Sequence, residues 1–143
     1  MSSQAIEDLL GGEKLLGIKV KSDMDLYEAG RRGIPKKALL NLAERINLSL
    51  AAVAALVHVT ERTIQRKKDG DLLSKPVSEQ VLQLAEVFSR GGEVFRSEEE
   101  FKVWLDTPAR SLDGKRPLEL LSSRFGAQMV LDELGRIEYG VHS

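Results

Sequence analysis

The chain has 143 residues, 42% of them hydrophobic and 30% charged, with two histidines and no cysteine. That length holds one or two small domains, and the missing cysteines exclude disulfides, thiolate metal cages and thiol nucleophiles; two histidines alone do not make the usual metal set. The formal charge of −1 looks neutral only as a total: residues 1–30 carry three basic and six acidic side chains, residues 31–75 ten and four, and residues 76–143 eight and twelve.

Apolar spacing is helical along nearly the whole chain and nowhere alternates with period two, so the fold is expected to be all-α. The first thirty residues are the least legible. They read as a helical arm that packs on the body, helps dimerisation or touches a partner. Pro35 sits in the first turn of a helix whose buried stripe is Leu39, Leu42, Ala43 and Ile46. Asn47 ends it, and Ser49 caps a second helix over residues 49–57 with Leu50, Val53, Ala54 and Val57 on one face. A short polar helix follows, opened by Thr60 as N-cap with Glu61 at the positive end of the helix dipole, and ends before Gly70.

Beyond Pro76 a longer helix buries Val77, Val81, Leu84, Ala85 and Phe88 and is expected to stop at Gly91-Gly92. Ser97 and Glu100 form a capping box for a helix with Phe101, Trp104 and Leu105 inward. Thr107-Pro108 halts it. Residues 112–117 read as a turn leading into a Pro117-initiated short helix. A last helix over residues 126–139 turns Ala127, Val130, Leu131, Leu134 and Ile137 inward.

The division expected from these signals is an arm at 1–30, a module at 31–75 and a helical domain at 76–143. Two short helices with a tight turn, the second polar and basic, are the helix-turn-helix arrangement, whose second helix enters the major groove. Val59 and Ile64 would anchor that helix. The side chains left for DNA are Thr60, Arg62, Thr63, Gln65, Arg66, Lys67 and Lys68. Arginine reads guanine with two hydrogen bonds and glutamine reads adenine, while the lysines meet phosphates, as Arg31, Arg32, Lys36 and Lys37 upstream could. His58 occupies the turn position usually held by glycine, and histidine tolerates a left-handed backbone better than most residues. One module gives a small contact area, so a homodimer on a two-fold operator is the expected functional unit.

Several separated motifs resemble one known family in order and spacing: residues 62–68, Gly70 to Leu73, Ser78, Trp104-Leu105-Asp106-Thr107-Pro108, residues 112–121 and residues 126–140. The chain from about residue 35 onward is similar to the Xre/MbcA/ParS antitoxins. The resemblance implies an Xre-like helix-turn-helix joined to a C-terminal toxin-binding and dimerisation domain. Its partner would be a RES-domain toxin, related to ADP-ribosyltransferases, that depletes NAD. In that family the antitoxin's C-terminal end lies over the toxin's active-site entrance and the complex represses its own operon. The matching toxin-binding positions are Arg136, Glu138, Tyr139, Gly140 and Val141, with Ile137 between them.

An enzyme is not expected, nor is a cofactor. Gly11-Gly12-Glu13-Lys14 lacks the spacing of a phosphate loop, and no nucleophile–base set is visible. The competing reading is a stand-alone helix-turn-helix regulator whose C-terminal domain senses a ligand or dimerises. No apolar run approaches the roughly 20 residues of a membrane span, and the first residues lack a signal-peptide pattern, so a cytoplasmic protein is expected.

Overall fold

The computed structural model describes residues 3–140. Among them are ten α-helices and one 3-10 turn, and no strand longer than an isolated bridge. The chain forms two compact units, one up to Glu86 and one from Val87 onward.

The first unit contains α1 (Ser3–Leu9), α2 (Gly12–Leu16), α3 (Asp23–Arg32), α4 (Lys36–Arg45), α5 (Leu50–Leu56) and α6 (Glu61–Arg66). Its core is Leu39 and Leu42 of α4, Val53 of α5, Ile64 of α6 and, from the loops, Ile34 and Leu73, all buried. The helices α4 and α5 are bent by 111° at their junction, and no single helix among the described residues is long and apolar enough to cross a membrane. The amino-terminal arm packs on this body. Asn41 donates to the Leu9 carbonyl and Arg45 to the Asp8 carbonyl, while Arg32 donates to the Leu16 and Gly17 carbonyls. The buried Glu7 carboxylate accepts the Val20 amide at 2.6 Å, closing the arm on itself.

Both α4 and α5 end in Schellman motifs built on non-glycine residues. After α4, Leu48 N–H bonds the Ala43 carbonyl and Asn47 N–H the Glu44 carbonyl; after α5, Val59 N–H bonds Ala54 and His58 N–H bonds Ala55. The left-handed residues are therefore Asn47 (φ 57°) and His58 (φ 62°). Such a φ costs a side-chain-bearing residue roughly 1 kcal/mol, which the recovered carbonyl bonds offset. His58 is thus the turn residue the sequence predicts.

The helix α7 (Lys75–Val94) begins in the first unit and ends in the second. It does not stop at Gly91-Gly92, as the glycine pair predicts, but continues to Val94 with Phe95 N–H bonded to the Gly91 carbonyl. The reason for glycine at 91 is packing: a Cβ there would lie 2.2 Å from the Phe101 ring. The second unit adds α8 (Glu98–Leu105), a 3-10 turn at Arg110–Leu112, α9 (Pro117–Leu120) and α10 (Arg124–Glu138). Phe101 sits between Phe88, at 5.3 Å edge-on, and Phe95, at 5.5 Å, with Trp104 stacked at 6.1 Å. Trp104 is only half-buried, short of the core position its spacing predicts, as are Leu131 and Ile137 of α10.

Candidate functional site: a nucleic-acid face and a partner-binding helix

In the first unit the second helix of the helix-turn-helix is fixed from below and bare above. Ile64 is completely buried, and Val59 is half-covered. The Thr60 hydroxyl caps α6 by accepting Thr63 N–H at 3.1 Å, and the Thr60 and Thr63 hydroxyls are 2.7 Å apart. Ser49 does the same for α5 through Ala52 N–H. These caps hold both helix starts, so the threonines serve geometry as well as lining the face. Arg62, Thr63, Gln65 and Arg66 are exposed, as is Thr60. Their ends are available for base edges or phosphates.

The segment after α6 is pinned at several points. Lys68 N–H donates to the Asp71 carboxylate, Lys36 N–H to the Asp71 carbonyl and Lys37 N–H to the Asp69 carbonyl. Leu73 N–H closes the set on the Ile34 carbonyl at 2.8 Å. Beneath lies Ser78, fully buried, whose hydroxyl accepts Ile34 N–H at 2.8 Å and donates to the Leu73 carbonyl at 3.2 Å. Gly33 (φ 110°) passes so close that a Cβ would stand 2.8 Å from the Leu73 carbonyl. Lys67 is half-buried and Lys68 exposed on this braced loop.

The upstream basic residues divide. Lys37 is half-exposed, whereas the Lys36 ammonium turns inward to the Lys67 carbonyl at 2.8 Å. Arg32 is occupied by the arm carbonyls, and Arg31 pairs with Glu28 at 2.8 Å, a hydrogen bond that raises the arginine pKa further. Lys36 and Arg32 thus brace the fold.

In the second unit the residues of interest end α10. Ser123 caps its start through Gly126 N–H. Arg136 reaches back one turn with two bonds, at 3.0 and 2.7 Å, to the same oxygen of Glu133, a carboxylate that is buried on the helix's inner side. Glu138 accepts from Arg90 of α7, and Arg90 also holds Glu93 at 3.1 Å. The arginine keeps the Glu138 carboxyl below the usual carboxylate range, and the same bond pushes the Arg90 pKa up. Tyr139 is 79% exposed, and Gly140 follows with φ 74°. Val141 lies outside the described residues, as do His142 and Ser143. Among the described residues no cluster of His, Asp or Glu could hold a metal ion.

Family models match both units. The Antitoxin Xre-like helix-turn-helix domain matches residues 25–86, and the Antitoxin Xre/MbcA/ParS C-terminal toxin-binding domain matches residues 90–140. The chain belongs to the Xre/MbcA/ParS antitoxin family. A curated relative, Antitoxin Xre of Yersinia enterocolitica, is 27% identical over 130 residues, covering 90% of this chain and 88% of its own. Among solved structures, the M. tuberculosis MbcT–MbcA toxin–antitoxin complex contains a chain with the same fold, at a TM-score of 0.59 and 22% identity over 76% of this chain and 96% of that one.

This Xre/MbcA/ParS antitoxin is therefore a non-enzymatic member of a toxin–antitoxin system, with its helix-turn-helix module and its toxin-binding domain in one chain. Three parts of its machinery escaped the residue-by-residue sequence reading. Ser78 and Gly33 brace the loop after α6, Glu133 holds Arg136, and Arg90 holds Glu138. Only Glu133 left a local signal, an i, i+3 spacing from Arg136.

Proposed function

We propose that this antitoxin neutralises a RES-domain, NAD-depleting toxin by covering its active site, and that it represses its own operon as a homodimer bound to operator DNA. Tyr139, Gly140 and Val141 enter the toxin's cleft, with Arg136 and Glu138 presented beside them. Arg62, Gln65 and Arg66 read base edges, Thr60 and Thr63 present the helix start, and Lys67 and Lys68 grip phosphates. The observation that carries this reading is the end of α10: inside the domain matched as toxin-binding, the helix stops at an almost bare tyrosine while its charged neighbours are fixed by Glu133 and Arg90. An aromatic anchor beside an oriented arginine is what strong protein interfaces use, and the arginine has little freedom left to lose.

Deleting residues 139–143 tests the tail. The truncated protein is expected to bind operator DNA as the full chain does and to protect cells poorly from the toxin. Full protection by the truncated protein would contradict the covering role.

A further inference from the structure

The outer face of α10 extends the partner surface well beyond the tail. Four large apolar side chains of the second unit stand exposed: Val103 at 66%, Phe125 at 74%, Met129 at 43% and Tyr139 at 79%. Three of them fall on one stripe. At 3.6 residues per turn, Phe125, Met129, Asp132, Arg136 and Tyr139 lie within an arc of about 80°, and the first and last are about 21 Å apart along the axis. An amphipathic helix of a small monomer turns such residues inward; α10 already has its inward face, with Ala127, Val130 and Leu134 buried, so the stripe is a second face of mixed apolar and charged side chains.

Three of its side chains, Phe125, Asp132 and Arg136, are held within the chain. Arg124 lies over the Phe125 ring, 5.0 Å from the centroid. Gln128 donates to Asp132 at 2.9 Å, and Arg136 is clamped on Glu133. We infer that the toxin contacts this whole stripe, with Phe125 and Met129 filling an apolar depression on the toxin at the opposite end from Tyr139. The occupant is the toxin because the stripe lies within residues 90–140, matched as the toxin-binding domain, and is continuous with Arg136 and Tyr139. The inference rests on the neutralisation reading above. It adds a second anchor, so that blocking the cleft and holding the toxin are done at separate ends of one helix.

The test measures affinity by calorimetry between the full chain and the product of the reading frame adjacent to its gene, for wild type, Phe125→Ala, Met129→Ala, the double variant and Val103→Ala. Because the Phe125 side chain is mostly in water, thermal stability should stay at the wild-type value, and Met129→Gln keeps the bulk should Met129→Ala disturb the helix. Losses of at least about tenfold for each stripe variant, with Val103→Ala unchanged, are expected. Wild-type affinity in the double variant overturns the stripe while leaving the neutralisation reading standing. A change in oligomeric state by sedimentation, with toxin affinity intact, overturns it in favour of a second copy of this chain. Failure of the wild-type chain to bind the neighbour's product removes both readings together.

Discussion

Ser78→Ala isolates the brace under the loop that follows α6. The substitution removes one hydroxyl from a site where Ser78 and Ile34 are fully buried and Leu73 nearly so. Its loss strands the Ile34 N–H, for which the hydroxyl is the hydrogen-bond partner at 2.8 Å, and takes a donor from the Leu73 carbonyl. A buried amide left without a partner costs about 1–3 kcal/mol, more than the hydrogen bond contributed net. For a unit of this size each kcal/mol lowers the melting temperature by about 4–8 °C. The loop carrying Lys67 and Lys68 runs on to Leu73 and is joined to α4 through the Asp69 and Asp71 carbonyls, so operator affinity should fall along with stability. Urea denaturation and fluorescence anisotropy on operator DNA measure both. A stability within about 0.5 kcal/mol of wild type would refute the reasoning, because surface-like substitutions give changes of that size.

Gly91→Ala places a Cβ 2.2 Å from the Phe101 ring and should unfold or loosen the second unit, seen as loss of toxin binding with the near-ultraviolet aromatic signal diminished; an unchanged spectrum would contradict the packing. The logarithm of operator affinity should fall linearly with the logarithm of salt, and Lys67→Ala or Lys68→Ala should each reduce that slope by about 0.9 if the residue neutralises one phosphate. The depressed Glu138 carboxyl makes the Arg90–Glu138 tie an ionised-state interaction: it is fully present above the usual glutamate pKa and lost as pH falls through the lowered folded value. Toxin affinity is therefore expected to decline in acid only as pH falls through that lowered value, and Arg90→Gln to shift this component of the pH dependence upward; an identical pH profile in the variant would count against the tie.

The helices were legible because their signals are local. Thr60, Ser49, Ser97 and Ser123 cap the helices they precede, and the Leu39–Leu42–Ile64 core follows from spacing alone. Ser123 itself went unread, since the apolar stripe pointed to a start at Gly126, two residues late. Gly91 misled for a related reason: a glycine pair usually marks a helix end, but here the missing Cβ admits a ring from another helix, a tertiary cause that no window around residue 91 contains. The braces are nonlocal too. Ile34 and Ser78 are 44 residues apart and Arg90 and Glu138 are 48, so pattern reading had no means of pairing them. Conversely, the charge asymmetry of the sequence correctly marked a basic face around α6 but overcounted it, because Lys36 and Arg32 spend their charges on backbone carbonyls.

In the proposed function, one chain silences a NAD-consuming partner through the end of α10. The direct measurement is the rate of NAD loss catalysed by the purified product of the adjacent reading frame, titrated with this antitoxin. NAD loss is expected to cease as the antitoxin reaches a fixed stoichiometric ratio, whereas the chain lacking residues 139–143 should leave substantial activity. A rate of NAD consumption unaffected by excess full-length antitoxin would contradict it.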